Sequence, residues 1–198
     1  MIGIPTDELL FRLRRITEDN MTFVSKKCRH LGENQLHWRR TKDSWNILEV
    51  LAHLNSLVNF YHPLILNKIK KTKFTTPSDT FVSSQLGRSA WKSIQLGRAN
   101  NIKRKFRAQR THNPTILPEL VEKNTIEKFE KNQLELLNIL DLAKHVNLKK
   151  AKVPISFSRI VRLRLGDVLQ FVIYHNERHI QQIKNILENK NFPDKVVG

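Results

Sequence analysis

The chain has 198 residues, 39 % of them hydrophobic, and a formal charge of +17 at neutral pH. That length carries one domain with a real core and no need of disulfide staples, and the apolar content argues against wholesale disorder. No apolar run approaches the roughly 18 residues of a bilayer span, and a lone cysteine, Cys28, can neither pair within the chain nor build a thiolate cage around a metal.

A first helix is predicted from about Thr6 to His30, where Leu9, Leu10, Leu13, Ile16, Thr17 and Val24 recur on one face. Thr6 is the expected N-cap, Asp7 and Glu8 suit the first turn, and Gly32 is the expected stop. The same stretch opens MIGIPTDELLFRLRR, with acids early and no basic segment leading into an apolar run, so it does not read as a secretory signal. A reducing cytoplasm is the expected location.

A second helix is predicted from about Ser44 to Ile69, capped by Asp43 or Ser44. Its apolar face includes Trp45, Leu48, Leu51, Leu54, Val58, Tyr61 and Ile65. Pro63 should kink it, since an interior proline lacks an N–H and clashes with the preceding turn. Residues 67–116 then read as a long connection holding Pro77, Gly87, Gly97 and Pro114, with a short helix expected around Ser89 to Arg107. Its charge is one-sided. Lys68, Lys70, Lys71, Lys73, Arg88, Lys92, Arg98, Lys103, Arg104, Lys105, Arg107 and Arg110 face a single acid, Asp79. Such a field attracts nucleic acid, anionic membrane or a negatively charged substrate, although a merely solvated basic connection has the same composition.

A third helix is predicted from about Pro118 to His145, proline being suited to a first turn, with Leu120, Val121, Phe129, Leu136, Leu137, Ile139, Leu140 and Ala143 at helical spacing. A fourth is predicted from about Leu165 to Leu187, and the β-prone Val-Pro-Ile-Ser-Phe-Ser leaves a minor strand pair around Val153 to Ile160 open. Four long helices with one long crossover predict an all-α fold: a four-helix bundle, one domain over residues 1–198, with a long basic crossover (67–116) between the second and third helices.

The chemistry-bearing residues sit on the second and fourth helices. His175 and His179 are four apart, hence one turn of about 5.4 Å apart on a shared face, close to the stripe of Val172 and Ile183. Two inward imidazoles one turn apart suit either a metal clamp or a pair of hydrogen-bonded core histidines. The intervening order, His-Asn-Glu-Arg-His, places Glu177 beside neither histidine, so it matches neither helical zinc-protease motif. His53, embedded in Trp-Asn-Ile-Leu-Glu-Val-Leu-Ala-His-Leu, offers a third imidazole from another helix. Three nitrogen ligands with open positions describe a catalytic kind of metal site.

These two segments, W-N-I-L-E-V-L-A-H-L and L-G-D-V-L-Q-F-V-I-Y-H-N-E-R-H-I-Q-Q-I, resemble the DinB/YfiT-like superfamily. The resemblance implies a four-helix bundle with a long crossover and a tripod of histidines, here His53, His175 and His179, that holds nickel, zinc or another divalent ion. It also implies a metal-dependent hydrolase or a thiol-dependent S-transferase as the activity. Imidazole suits zinc, nickel, iron and copper alike, with manganese also admissible.

Around the tripod, Glu49 lies one turn before His53 and is a weak candidate for a base or an imidazole-orienting group, equally readable as an exposed partner for a basic side chain. Gln182 is expected to line the pocket and Asp167 to serve helix-end electrostatics. Arg178 and Glu177 are expected at the surface or an interface, and Trp45 and Tyr61 in the core. His30, His37, His62, His112 and His145 match no motif position. The leading expectation is therefore a metal-dependent enzyme acting on a small molecule, with a low-molecular-weight thiol as a candidate co-substrate, as a homodimer with no membrane association. The alternatives are a polyanion or nucleic-acid module acting through the crossover, and a non-catalytic metal-stabilised scaffold.

Overall fold

In a computed structural model the described residues are 3–104, 106–156 and 158–194. Lys105, in the basic connection, and Phe157, in the expected strand pair, lie outside them. The chain is mostly helical. In chain order the elements are β1 (Ile4–Pro5), α1 (Thr6–Lys27), α2 (Glu33–Leu36), α3 (Ile47–Lys71), β2 (Thr80–Phe81), α4 (Gln85–Ile94), α5 (Thr125–Ala143), β3 (Lys152–Ile155), β4 (Ser158–Arg164) and α6 (Leu165–Leu187).

Helix starts differ from expectation where side chains found partners the sequence does not reveal. Thr6 is the first residue of α1 and caps nothing; its hydroxyl donates to the Ser78 carbonyl at 2.5 Å, tying α1 to the chain after α3. The cap of α3 is Asn46, not Asp43 or Ser44. Its side chain accepts from the Glu49 N–H at 2.8 Å while the Glu49 carboxylate accepts from the Asn46 N–H at 2.9 Å, a reciprocal capping box. Trp45 thereby falls just outside the helix. α3 runs on through Pro63, which is exposed, as is Asn59, the residue whose carbonyl loses its donor. The third expected helix is divided: Pro118–Leu120 forms a separate 3-10 turn and α5 begins at Thr125, whose hydroxyl both accepts from the Glu122 N–H and donates to its carbonyl.

The long connection is structured. β2 pairs antiparallel with β1, and α4, capped by the Ser84 side chain, lies earlier than the expected Ser89 to Arg107. α4 packs on α6, where the fully buried Asp167 carboxylate accepts from both the N–H and hydroxyl of Ser84. This approach requires Gly87, because a Cβ there would lie 2.1 Å from an Asp167 oxygen. The strand pair forms as β3 and β4, the second strand running on to Arg164, with Lys152 opposite Arg164 and Pro154 opposite Arg162.

The four long helices pack in a ring: α1 and α3 each lie against both α5 and α6. Their apolar side chains divide into two clusters. One holds Leu9, Leu13, Leu57, Val58, Leu136, Leu140, Val172 and Ile173; the other holds Val24, Cys28, Ile47, Leu51, Leu54, Phe129, Ile180 and Ile183. Buried polar residues lie between the two clusters on each helix, Thr17 and Asn20 on α1, Asn55 on α3, Asn132 and Gln133 on α5 and Asn176 on α6, with His53 on α3 at the edge of the second cluster. Such groups are tolerated inside when they bond one another. Asn55 donates to the Thr125 carbonyl at 2.9 Å and accepts from Asn132 at 3.0 Å. The candidate site belongs to this polar layer.

Candidate metal centre

His53 is 4 % exposed and held on both sides of its ring. Its Nδ1–H donates to the His112 carbonyl oxygen at 2.6 Å, which leaves Nε2 with a free lone pair. That Nε2 lies 3.3 Å from His175 Nε2. His179 Nδ1–H donates to Gln182 Oε1 at 3.0 Å, so its Nε2 is also left as an acceptor. His175 Nδ1 has no hydrogen-bond partner among the described residues. One donor atom from each of the three histidines lies within 4.8 Å of the others.

Electrostatics keeps all three rings neutral. Burial lowers the His53 pKa to about 4, the His112 carbonyl opposing this only in part. Burial and then the neighbouring imidazoles push His175 well below the ordinary range, and burial with the His53 ring does the same to His179. A neutral imidazole is the metal-ligating form.

The residues fit a divalent ion. Nitrogens at the usual ~2.1 Å from a tetrahedral ion sit roughly 3.4 Å apart, against the observed 3.3 Å for His53 and His175. The whole set lies within 4.8 Å. His175 and His179 are partly exposed, so the cluster has a solvent-facing side.

Trp45 lies over that cluster, its ring centroid 4.9 Å from His53 and 6.1 Å from His179, nearly parallel to the latter. Its indole N–H donates to Thr115 Oγ1 at 2.9 Å. Half-buried, it packs against the second core cluster, as expected, and its ring also lies beside the histidines. Tyr61, by contrast, is core, fully buried with its hydroxyl accepting from the Ser156 N–H.

Several other expected residues are engaged elsewhere. Glu49 is buried, and both of its oxygens accept from Arg39, at 2.5 and 2.7 Å, besides the Asn46 N–H. No imidazole is among its partners. Arg178, expected at the surface, is 7 % exposed. Its guanidinium donates to the Arg104 carbonyl and lies 5.5 Å from the Phe106 ring, holding the connection between α4 and α5 against α6. Glu177 is partly buried, in a small cavity with Asn20, Gln181 and Lys184, and its pKa is raised by that burial. Cys28 is buried in the core with its thiol pushed up to about 12, remote in character from a reactive thiolate. Of the histidines that matched no motif, His62 is buried against Glu135 at 2.8 Å.

His112 is the contribution that sequence reasoning missed. Its carbonyl fixes the His53 tautomer and its own Nδ1 is 2.8 Å from Ser56 Oγ. A backbone oxygen leaves no trace in residue type, so only the path of the crossover exposes it.

The family model of the DinB superfamily matches residues 24–183. The chain belongs to the DinB superfamily. No curated protein and no solved structure matches it. The DinB match begins inside α1 and ends inside α6, so it takes in all three histidines, the crossover and the hairpin. Among the described residues no helix is long and apolar enough to cross a membrane.

Proposed function

We propose that this DinB protein holds one divalent metal ion, zinc or nickel first, on the Nε2 atoms of His53, His175 and His179, and uses it in hydrolysis or thiol-dependent S-transfer on a small molecule. The observation that carries the reading is the convergence of three neutral imidazoles from α3 and α6 in a buried polar layer, two of them with Nδ1 already committed to an acceptor. Three neutral ligands leave the full double charge on the ion, which acidifies a bound water or thiol and polarises a carbonyl. The chain supplies the rest. The His112 carbonyl and Gln182 hold two rings in the ligating tautomer, and Trp45, pinned by Thr115, narrows access and offers a flat apolar wall to a substrate.

The scaffold is read as a four-helix bundle forming one domain, with residues 67–116 as its crossover, supported by the ring packing of α1, α3, α5 and α6. A homodimer is part of the proposal, and light scattering should then return near twice the 23.3 kDa of one chain.

Elemental analysis of protein purified without a histidine tag should find about one metal per chain. The double variant H175A/H179A, and H53A separately, should lose it. Wild-type metal content in all of these variants refutes the site. Metal in the wild type without turnover of any thiol or ester substrate favours a metal-stabilised scaffold.

A further inference from the structure

Two stretches of the chain contain no aspartate or glutamate, residues 80–118 and 142–166, and the second carries seven lysines and arginines. They are remote in sequence but adjacent in the fold. The Arg164 guanidinium donates to the Val82 carbonyl, and α4 packs on β4. At the near end, the Asn147 N–H donates to the Phe74 carbonyl at 2.9 Å, and the Lys150 ammonium lies 5.9 Å from the Phe74 ring.

The β3–β4 ribbon sets its charges in register. Val153, Ile155 and Leu163 are buried, so the alternation of a strand turns Lys152, Arg162 and Arg164 to the other face. Lys152 stands directly opposite Arg164. The Cβ atoms of such a pair lie about 5 Å apart, and like charges directly opposed destabilise the pairing. Some cations elsewhere are paired, Arg12 with Glu8, Arg14 with Asp141, Arg29 with Glu130, Arg39 with Glu49 and Lys128 with Glu122, and Lys144, at the edge of the second stretch, reaches Asp141. Among the described residues none of Lys150, Lys152, Arg162, Arg164, Arg88 and Lys92 has a carboxylate partner. The last two line an open depression on the outer side of α4.

We propose that this face, the outer side of the β3–β4 ribbon with the adjoining α4, binds the phosphate backbone of double-stranded nucleic acid without regard to sequence. A cationic face that lacks internal counter-charges is relieved by a dense array of external ones, and duplex DNA offers one charge per ~1.7 Å of axis. A two-stranded antiparallel ribbon also has a width that a major groove admits. Insertion into a lipid interface calls for an apolar face beneath the cations, and the large apolar side chains exposed on α4 and the described part of the ribbon are two, Leu86 and Ile160. The surface involves none of the three histidines, so it stands or falls separately from the metal reading.

The test is fluorescence anisotropy of a labelled 25-base-pair DNA duplex across a KCl series, with circular dichroism to confirm folding. The variant K150Q/K152Q/R162Q removes three exposed charges from the face; K26Q/K27Q/K42Q removes three exposed charges from elsewhere. The face variant should bind at least tenfold more weakly at 100 mM KCl and reduce the salt slope by about 2–3, at roughly 0.9 for each phosphate no longer neutralised. The control should change less than threefold. Equal weakening by both variants reduces the effect to net charge and overturns the proposal. So does the absence of binding at 50 mM KCl, or tighter binding to phosphatidylserine vesicles than to the duplex at equal salt.

Discussion

Acid should unfold the metal-free protein through His53, and the size of the effect can be worked from its burial. In the unfolded chain the imidazole titrates near 6.5, and in the fold near 4. As the pH falls below 6.5 the unfolded state takes up a proton that the folded state refuses, so stability drops until the folded ring titrates in its turn. Above 6.5 the stabilisation is complete. Between about pH 7 and pH 4.5, linkage gives a loss of roughly 2.5 kcal/mol from this one ring. His175 and His179 are shifted in the same direction and add to the loss. Against a typical domain stability of about 5–15 kcal/mol this is enough to shift unfolding markedly. The assay is urea unfolding in the presence of a chelator at a series of pH values, comparing the wild type with H53Q. Both chains share the charge repulsion that grows in acid, so their difference isolates the ring, and H53Q should show the shallower pH dependence. Added zinc or nickel should raise the wild-type profile as a whole and leave it at least as steep, because a bound ion keeps protons off the folded rings while the unfolded rings still titrate near 6.5. Parallel profiles for wild type and H53Q in chelator would refute the reasoning.

Glu49 offers a sharp contrast between a capping and a chemical role. E49A should cost about 1–2 kcal/mol of stability, from the lost cap and the freed Arg39, in urea titrations, yet keep the full metal content; metal lost in a variant that stays folded would return Glu49 to the site. Gln182 tests the tautomer argument. Q182L removes the acceptor of His179 Nδ1 and should weaken metal affinity by ~10–100-fold, read by competition with a chromogenic chelator, with stoichiometry unchanged at saturating metal.

Helix existence was legible from the chain alone, because α1, α3, α5 and α6 each bury one stripe and the 3.6-residue period of that stripe is written in residue type. Boundaries were less so. Thr6 reads as a cap yet spends its hydroxyl on Ser78, and Thr125 starts α5 by closing a turn on Glu122. Both depend on partners supplied by the fold or on competition between local hydrogen bonds that propensity does not rank.

The same division holds for the site. His175 and His179 share a face by the arithmetic of one helical turn, and the flanking pattern, through its likeness to DinB proteins, named His53 as their companion. The sequence by itself therefore determined which imidazoles to consider and that each sits on an inward stripe. Only the tertiary structure decided that the His53 and His175 nitrogens approach to 3.3 Å, that the connection between α3 and α5 brings the His112 carbonyl and Thr115 to the same place, and that Arg178 is buried. Periodicity is a property of one helix and can be read locally. Convergence, backbone acceptors and the meeting of two acid-free stretches are relations between segments distant along the chain, and these exist only once the chain has folded.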